Sequence, residues 1–325
     1  MSKPRVFVAR QIPQPGLDLL AAETELVVAP QDGVISRAEL EKGVASCDAL
    51  ISILTDSIDA ALLDINPRLK IVAAYAVGYN NIDVAAATAR KIPVTNTPGV
   101  LTECTADLAF ALLMDAARRV TEGDRLTRLG GFKGWGPMFM LGGDVTGKTL
   151  GIVGMGRIGQ AVARRASGFD MKVLYTKRQA LSQTEEKELK ATRVDLKTLL
   201  AESDFVSLHC PLSPETKHLI GAAELAMMKK TGILINTSRG AVVDEAALVQ
   251  ALKNKVIGGA ALDVYEDEPA LAVGLVGLEN AVLAPHLGSA TLETRTKMSL
   301  IAARNVLARL RGERPPNLVN PEVLD

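Results

Sequence analysis

Leu150-Gly151-Ile152-Val153-Gly154-Met155-Gly156-Arg157-Ile158-Gly159 is the stretch whose reading decides the fold. A short apolar run of the kind that makes a buried strand leads directly into GxGxxG, and the following residues, Gln160 to Ala166, read as a helix. Strand, glycine turn and helix in that order are the context in which GxGxxG binds a dinucleotide. Gly154 makes the tight turn, Gly156 has no side chain to obstruct a pyrophosphate, and Gly159 lets helix and strand pack closely. The helix N-terminus then attracts the phosphates, because its first N–H groups lack partners within the helix and its dipole is positive there. A glycine turn that merely packs does not require three glycines at this spacing.

Downstream, apolar runs at Lys172 to Tyr175, Phe205 to His209, Gly232 to Asn236, Ala260 to Val264 and Ala281 to Ala284 extend Leu150 to Val153 into a parallel sheet with intervening helices. Upstream, Val6 to Ala9, Leu26 to Ala29, Ala49 to Ile53, Leu69 to Ala74 and Val94 to Thr97 alternate with helix-like segments such as Arg37 to Val44, which predicts a second parallel sheet. A chain of 325 residues suits two such domains. The predicted fold class is therefore α/β, with two doubly wound parallel-sheet domains. Between the two series lie a long amphipathic helix, Thr102 to Arg119, and the glycine-rich stretch Gly130 to Pro137, which is long enough to be functional. A last helix, Leu292 to Arg311, is expected to return to the first domain.

Hydrophobic residues make up 48% of the chain, and 37 Lys plus Arg balance 37 Asp plus Glu, so no excess charge points to nucleic acid or an anionic membrane as partner. A small molecule is the expected ligand. Cys47, Cys104 and Cys210 have neither CxxC spacing nor an even count, which predicts buried thiols rather than a disulfide framework or a metal site. The start, Met1-Ser2-Lys3-Pro4-Arg5, shows no export signal, and the most apolar stretch, Ala106 to Ala117, is interrupted by Asp107 and Asp115. Both observations fit a cytoplasmic protein.

The strand beginning at Lys172 ends in Thr176-Lys177-Arg178, where an NAD-selective protein normally offers an acid to the ribose hydroxyls. A hydroxyl and two cations suit the 2′-phosphate of NADP instead, so NADPH is the expected cofactor, with NAD possible. The alternative is a solvated basic turn.

The late strands carry groups for hydride transfer to a 2-oxo acid. Such a reaction needs a cation for the carboxylate and carbonyl oxygen, an acid for the emerging alkoxide, and a group that keeps that acid charged. Arg239 in Asn236-Thr237-Ser238-Arg239-Gly240 offers the permanently charged fork. His286 in Pro285-His286-Leu287-Gly288-Ser289 and Glu268 in Asp263-Val264-Tyr265-Glu266-Asp267-Glu268 offer a proton donor and its carboxylate, since a carboxylate beside an imidazole favours the protonated ring. Each residue alone is ambiguous: an ion-pair partner, a loop acid, a core imidazole. All three follow successive strands of the sheet that bears the glycine turn. His209 reads as a border of the adenine pocket, and His218 as a solvated residue at a polar helix start.

The chain resembles the D-2-hydroxyacid dehydrogenases, and among them the glyoxylate/hydroxypyruvate reductases. The resemblance runs nearly end to end through Tyr75-Ala76-Val77-Gly78-Tyr79-Asn80-Asn81-Ile82-Asp83, Asn96-Thr97-Pro98-Gly99-Val100-Leu101-Thr102, GMGRIG, NTSRG, ALDVYEDEP and PHLGSAT. It implies Arg239, Glu268 and His286 as the catalytic set, and Val77, Gly78 and Ser289 with Arg239 and His286 around the substrate. The cofactor contacts it implies are Gly154, Gly156, Arg157, Ile158 and Gly159 at the pyrophosphate turn, Lys177 and Arg178 at the adenosine ribose, Pro211 near adenine, and Thr237, Asp263 and Gly288 around the nicotinamide side. Residues 1–98 with 292–325 would form a flavodoxin-like substrate-binding lid, and residues 99–291 the Rossmann dinucleotide-binding domain. The resemblance further implies a homodimer with residues 102–143 as its arm, and Trp135 either lining the neighbour's pocket or packing the interface. Reduction of glyoxylate or hydroxypyruvate by NADPH is the expected reaction. A D-lactate or phosphoglycerate-type dehydrogenase, and a dinucleotide-sensing corepressor-like binding protein, are the competing readings.

Overall fold

The structure, a computed structural model, describes residues 3–30 and 33–325; Met1 and Ser2, where the reading of the N-terminus begins, lie outside the described residues. The chain divides into two compact units, one running to Leu101 and resuming at Ser289, the other spanning Thr102–Gly288. In the first unit β1 (Arg5–Val8), β2 (Glu25–Val28), β3 (Ala49–Ser52), β4 (Ile71–Ala74) and β5 (Val94–Thr95) form a parallel sheet in the order β2-β1-β3-β4-β5. β3 and β4 are buried along their whole length, which is why they read as continuous apolar runs rather than alternating ones. One face of this sheet packs Phe7, Leu50 and Val72 against Leu40, Val44 and Leu62. The other packs Val6, Ile51 and Ile71 against Leu17 and Leu20 and against Ala302, Ala303 and Val306 of the helix Leu292–Leu310.

The second unit holds β6 (Thr149–Val153), β7 (Lys172–Thr176), β8 (Ala191–Arg193), β9 (Phe205–Leu208), β10 (Ile233–Asn236), β11 (Gly259–Leu262) and β12 (Ala281–Leu283). All pairs are parallel and the order is β12-β11-β10-β9-β6-β7-β8, so both sheets are doubly wound. The order reverses between β6 and β9, the place in such a sheet where a ligand binds beyond the carboxyl ends of the strands. β8 escaped the sequence reading because it is three residues long and two of them are exposed.

The helix expected from Thr102 to Arg119 is present as Thr102–Arg118, and a second, unexpected helix follows it. Thr102–Arg118 stops where Arg119 takes a left-handed conformation (φ 55°), and Val120–Arg128 follows. Arg119 is held there by an ion pair to Glu122 (2.6 Å) and a hydrogen bond to the Leu141 carbonyl (3.2 Å), neither of which leaves a mark in the hydrophobic pattern. Among the described residues no helix is long and apolar enough to cross a membrane. Cys47 and Cys210 are buried and Cys104 is half-buried, all as free thiols.

Candidate active site

The glycine turn closes β6 and opens the helix Arg157–Ala166. Gly154 has φ +97°, and a Cβ there would lie 2.5 Å from the Cys210 nitrogen, so a side chain is excluded by conformation and by the neighbouring strand exit. A Cβ at Gly159 would meet the Gly154 carbonyl oxygen at 2.4 Å; this glycine sets how closely helix and turn approach. A Cβ at Gly156 would touch nothing within 4 Å, and Gly156 caps the helix with no side-chain hydrogen bond. Open space above uncapped N–H groups is what an anionic group requires. Register places Thr176 opposite Val153, and the Gly154 N–H donates to the Thr176 carbonyl (3.0 Å), so Lys177 and Arg178 leave β7 beside the turn.

A ladder of backbone hydrogen bonds crosses the carboxyl edge of the sheet from this turn to the far side. The His209 N–H donates to Val153 (2.8 Å), Asp263 to Asn236 (2.9 Å), Ala284 to Leu262 (2.8 Å) and His286 to Asp263 (2.9 Å). The edge therefore presents Gly154, His209, Thr237, Asp263 and His286 from five neighbouring strands. His286 itself adopts φ +55°, uncommon for a residue with a side chain. The Asp263 carboxylate holds the segment in place: its two oxygens accept the N–H groups of Leu287 (2.6 Å) and Gly288 (2.8 Å), and Thr105 Oγ1 donates to the Gly288 carbonyl (2.8 Å).

His286 Nδ1 meets Glu268 Oε2 at 2.8 Å, leaving Nε2 as the ring nitrogen for other chemistry. The other Glu268 oxygen accepts the Tyr265 N–H (2.9 Å). Burial pushes the Glu268 carboxyl up, but the hydrogen bond and charge of His286, helped by the Tyr265 N–H and by Arg239, hold it below the usual carboxylate value. The pair is thus an ion pair whenever the ring is protonated. Arg239 is half-buried; the burial works against its charge, and Glu268 opposes that effect. Gly240 lets the Arg239 segment approach the acid loop: a Cβ there would sit 1.8 Å from the Tyr265 carbonyl carbon. Arg239, Glu268 and His286 thus converge within one unit.

A model of the "D-isomer specific 2-hydroxyacid dehydrogenase, NAD binding domain" matches residues 110–288. The chain is 57% identical to a glyoxylate reductase of Korarchaeum cryptofilum over 99% of its length and 97% of that protein's, and 53% identical to one of Thermococcus litoralis over 99% and 98%. The chain belongs to this dehydrogenase family. It is an NAD(P)-dependent enzyme. Among solved structures it resembles a Thermus thermophilus protein (TM-score 0.90, 47% identity, covering 97% of this chain and 99% of that one). It also resembles an NADPH-dependent glyoxylate/hydroxypyruvate reductase of Sinorhizobium meliloti solved with NADP and malonate (TM-score 0.86, 33% identity, 98% of each chain).

The dehydrogenase's own residues fit a dinucleotide beyond the glycine turn. Thr237 Oγ1 is buried with no hydrogen-bond partner, as is His209 Nδ1, whose Nε2 is taken by Ser207 (2.8 Å). Burial lowers the His209 pKa to about 4, so this imidazole is neutral at ordinary pH. Lys177 is half-buried and Arg178 exposed, and Arg193 of β8 donates to both of their carbonyls (3.0 Å each). Pro211 is exposed just past β9.

Val77, Gly78 and Ser289 belong to the other unit, where the Val77 carbonyl accepts from Asn96 Nδ2 (2.8 Å). His218 departs from expectation. It lies in a turn with φ +51° rather than at a helix start, and its Nε2 contacts Glu266 Oε1 at 2.6 Å. Thr105, Arg193 and Glu245, which accepts the Glu266 N–H (2.7 Å), were not singled out from sequence. Their partners lie 15 to 183 residues away, so no local pattern could reveal them.

Proposed function

We propose that this dehydrogenase reduces glyoxylate or hydroxypyruvate to glycolate or D-glycerate, with NADPH as its preferred cofactor and NADH possible. The carrying observation is the 2.8 Å contact between Glu268 and His286 beside Arg239, on the sheet edge that begins at an unobstructed glycine turn. When bound, the reduced nicotinamide supplies the hydride. Arg239 binds the substrate carboxylate and carbonyl oxygen with a charge that cannot be lost by deprotonation. His286 donates a proton from Nε2 to the oxygen as its negative charge develops, and Glu268 at Nδ1 stabilises the charged ring before transfer and fixes its orientation. In the oxidative direction the same pair accepts the proton. The names and high identity of the Korarchaeum and Thermococcus reductases support the choice of substrate.

NADPH preference rests on Lys177 and Arg178 at the end of β7, where no acid is available to bind ribose hydroxyls and both cations are suited to a 2′-phosphate. Gly154, Gly156, Arg157, Ile158 and Gly159 would hold the pyrophosphate, Pro211 would border the adenine, and Thr237, Asp263 and Gly288 would serve the nicotinamide side. Val77 and Gly78 are proposed as N–H donors to the substrate carboxylate, with Ser289 nearby in sequence to His286. A homodimer is also proposed. Leu129 is 87% exposed and Trp135 84%, with Met138, Leu141 and Phe132 exposed in the same segment, an apolar run that a free surface does not favour.

Turnover of glyoxylate and hydroxypyruvate with NADPH and NADH, followed on nicotinamide absorbance, tests the reading. Reduction of either acid with higher kcat/KM for NADPH is expected. Absence of turnover with both acids would reject it and favour a sensing role, and a clear NADH preference would reject the cofactor assignment.

A further inference from the structure

Glu245 begins the helix Glu245–Lys253, six residues after Arg239 in the same continuous segment, and is only 5% exposed. A buried carboxyl needs partners. Its Oε1 accepts the Glu266 N–H at 2.7 Å. That donor lies two residues before Glu268 in the chain. We infer that Glu245 is a positioning residue for the proton-donating pair: its carboxyl anchors the start of the segment that carries Glu268 and so presents that acid to His286. This rests on the proposed role of Glu268 and His286.

Other contacts also hold the segment: the Tyr265 hydroxyl donates to the Ala284 carbonyl (2.9 Å), the Ala270 N–H donates to the Asp267 carbonyl (2.9 Å), and Leu271 and Ala272 pack against the core. The His218 to Glu266 contact (2.6 Å) lies on its outer side, Gly240 abuts the Tyr265 carbonyl, and the Tyr265 N–H donates to Glu268 itself. None of them takes up the Glu266 N–H, which only Glu245 accepts among the described residues. Burial raises the Glu245 carboxyl above its usual value; the Glu266 N–H acts against this, and the charges of Glu266 and Asp267 act with it. An amide at position 245 keeps an oxygen in the accepting place without any charge, so Glu245→Gln should preserve the tether. Glu245→Leu fills similar space and strands the Glu266 N–H, and the acid loop is then free to move away from His286. The charged groups that face His286 are Glu268 and Asp263, with Arg239 facing Glu268; those near Glu245 are Glu266 and Asp267, with His218 facing Glu266.

Two readouts test this on the full chain. The first is the pH dependence of kcat/KM for glyoxylate reduction, whose alkaline limb marks loss of the donated proton. Glu245→Leu should move that limb about one pH unit toward acid, the low end of what a contacting opposite charge contributes, while Glu245→Gln leaves it in place. The second needs no turnover: the low-field N–H resonance of the His286 ring hydrogen-bonded to Glu268, assigned by its loss in His286→Gln. It should be present in the unaltered protein and Glu245→Gln and absent in Glu245→Leu. If Glu245→Leu does not fold, Glu245→Ser, which leaves room for water to solvate the Glu266 N–H, replaces it with the same expectations. Retention of both the resonance and the limb in the Leu or Ser variant would overturn the inference, as would a Gln variant that behaves like Leu. Failure of the unaltered protein to turn over either acid would instead refute the proposed function, and the resonance alone would then decide the tether.

Discussion

The glycine turn at residues 154–159 and the acid loop at residues 265–268 belong to the same sheet edge yet are built in opposite ways. The turn works by omission: Gly156 leaves open space, the helix behind it lacks a side-chain cap, and every residue that matters lies within six positions. The loop works by attachment. Glu268 reaches His286 only because Gly240 admits the neighbouring segment, Glu245 accepts the Glu266 N–H, and Asp263 holds the backbone after His286 with both oxygens. A binding site for a flexible, charged ligand can be specified by leaving main chain bare. A proton donor must be held by buried groups to within a fraction of an ångström, and those groups come from distant parts of the chain.

Substitutions can break this contrast at either end. The largest effect belongs to the loop: His286→Gln should lower kcat by about 10²- to 10⁴-fold, the usual contribution of a positioned general acid, while dinucleotide affinity measured by fluorescence titration stays the same. A parallel loss of affinity would mean that the two regions are not separable. Within the turn, Gly159→Ala forces a Cβ against the Gly154 carbonyl and should cost about 1–3 kcal/mol of unfolding free energy, as overpacking generally does. Gly156→Ala meets no atom within 4 Å, so denaturant unfolding should be unaltered while NADPH binding weakens about tenfold, or 1.4 kcal/mol. Equal loss of stability in both variants would defeat the distinction between a packing glycine and a ligand-facing one. The smallest effect is expected at Thr237, whose buried hydroxyl has no partner in the protein. Thr237→Val should leave stability unchanged and weaken NADPH binding by about 0.5–1.5 kcal/mol, the net contribution of one hydrogen bond.

The same contrast explains what could be read from sequence. Strand, glycine turn and helix are local, so the parallel sheets and the dinucleotide site were legible from apolar runs and from GMGRIG. The convergence of Arg239, Glu268 and His286, proposed as the catalytic set, was legible because each follows a strand, and parallel strands deliver their carboxyl ends to one edge. Elements set by distant contacts were not. The left-handed Arg119 that precedes the unexpected helix Val120–Arg128 donates to the Leu141 carbonyl 22 residues away, β8 pairs with β7 through three residues of weak pattern, and His218, exposed as expected, has its partner Glu266 48 residues away. Glu245 looked like any acid at a helix start, and only burial distinguishes it.

The central claim is that Glu268 maintains His286 as the proton donor. It is tested most directly by the pH dependence of kcat/KM for glyoxylate reduction by NADPH in the unaltered enzyme and in Glu268→Gln. Reduction consumes a proton, so the rate falls as pH rises through loss of that proton from the pair; an amide removes the charge that retains it. The account predicts an alkaline limb displaced to lower pH by about one to three units, the range of a contacting opposite charge, with closer rates at the acid end. Superimposable profiles would show that Glu268 does not hold the proton, and would contradict the account.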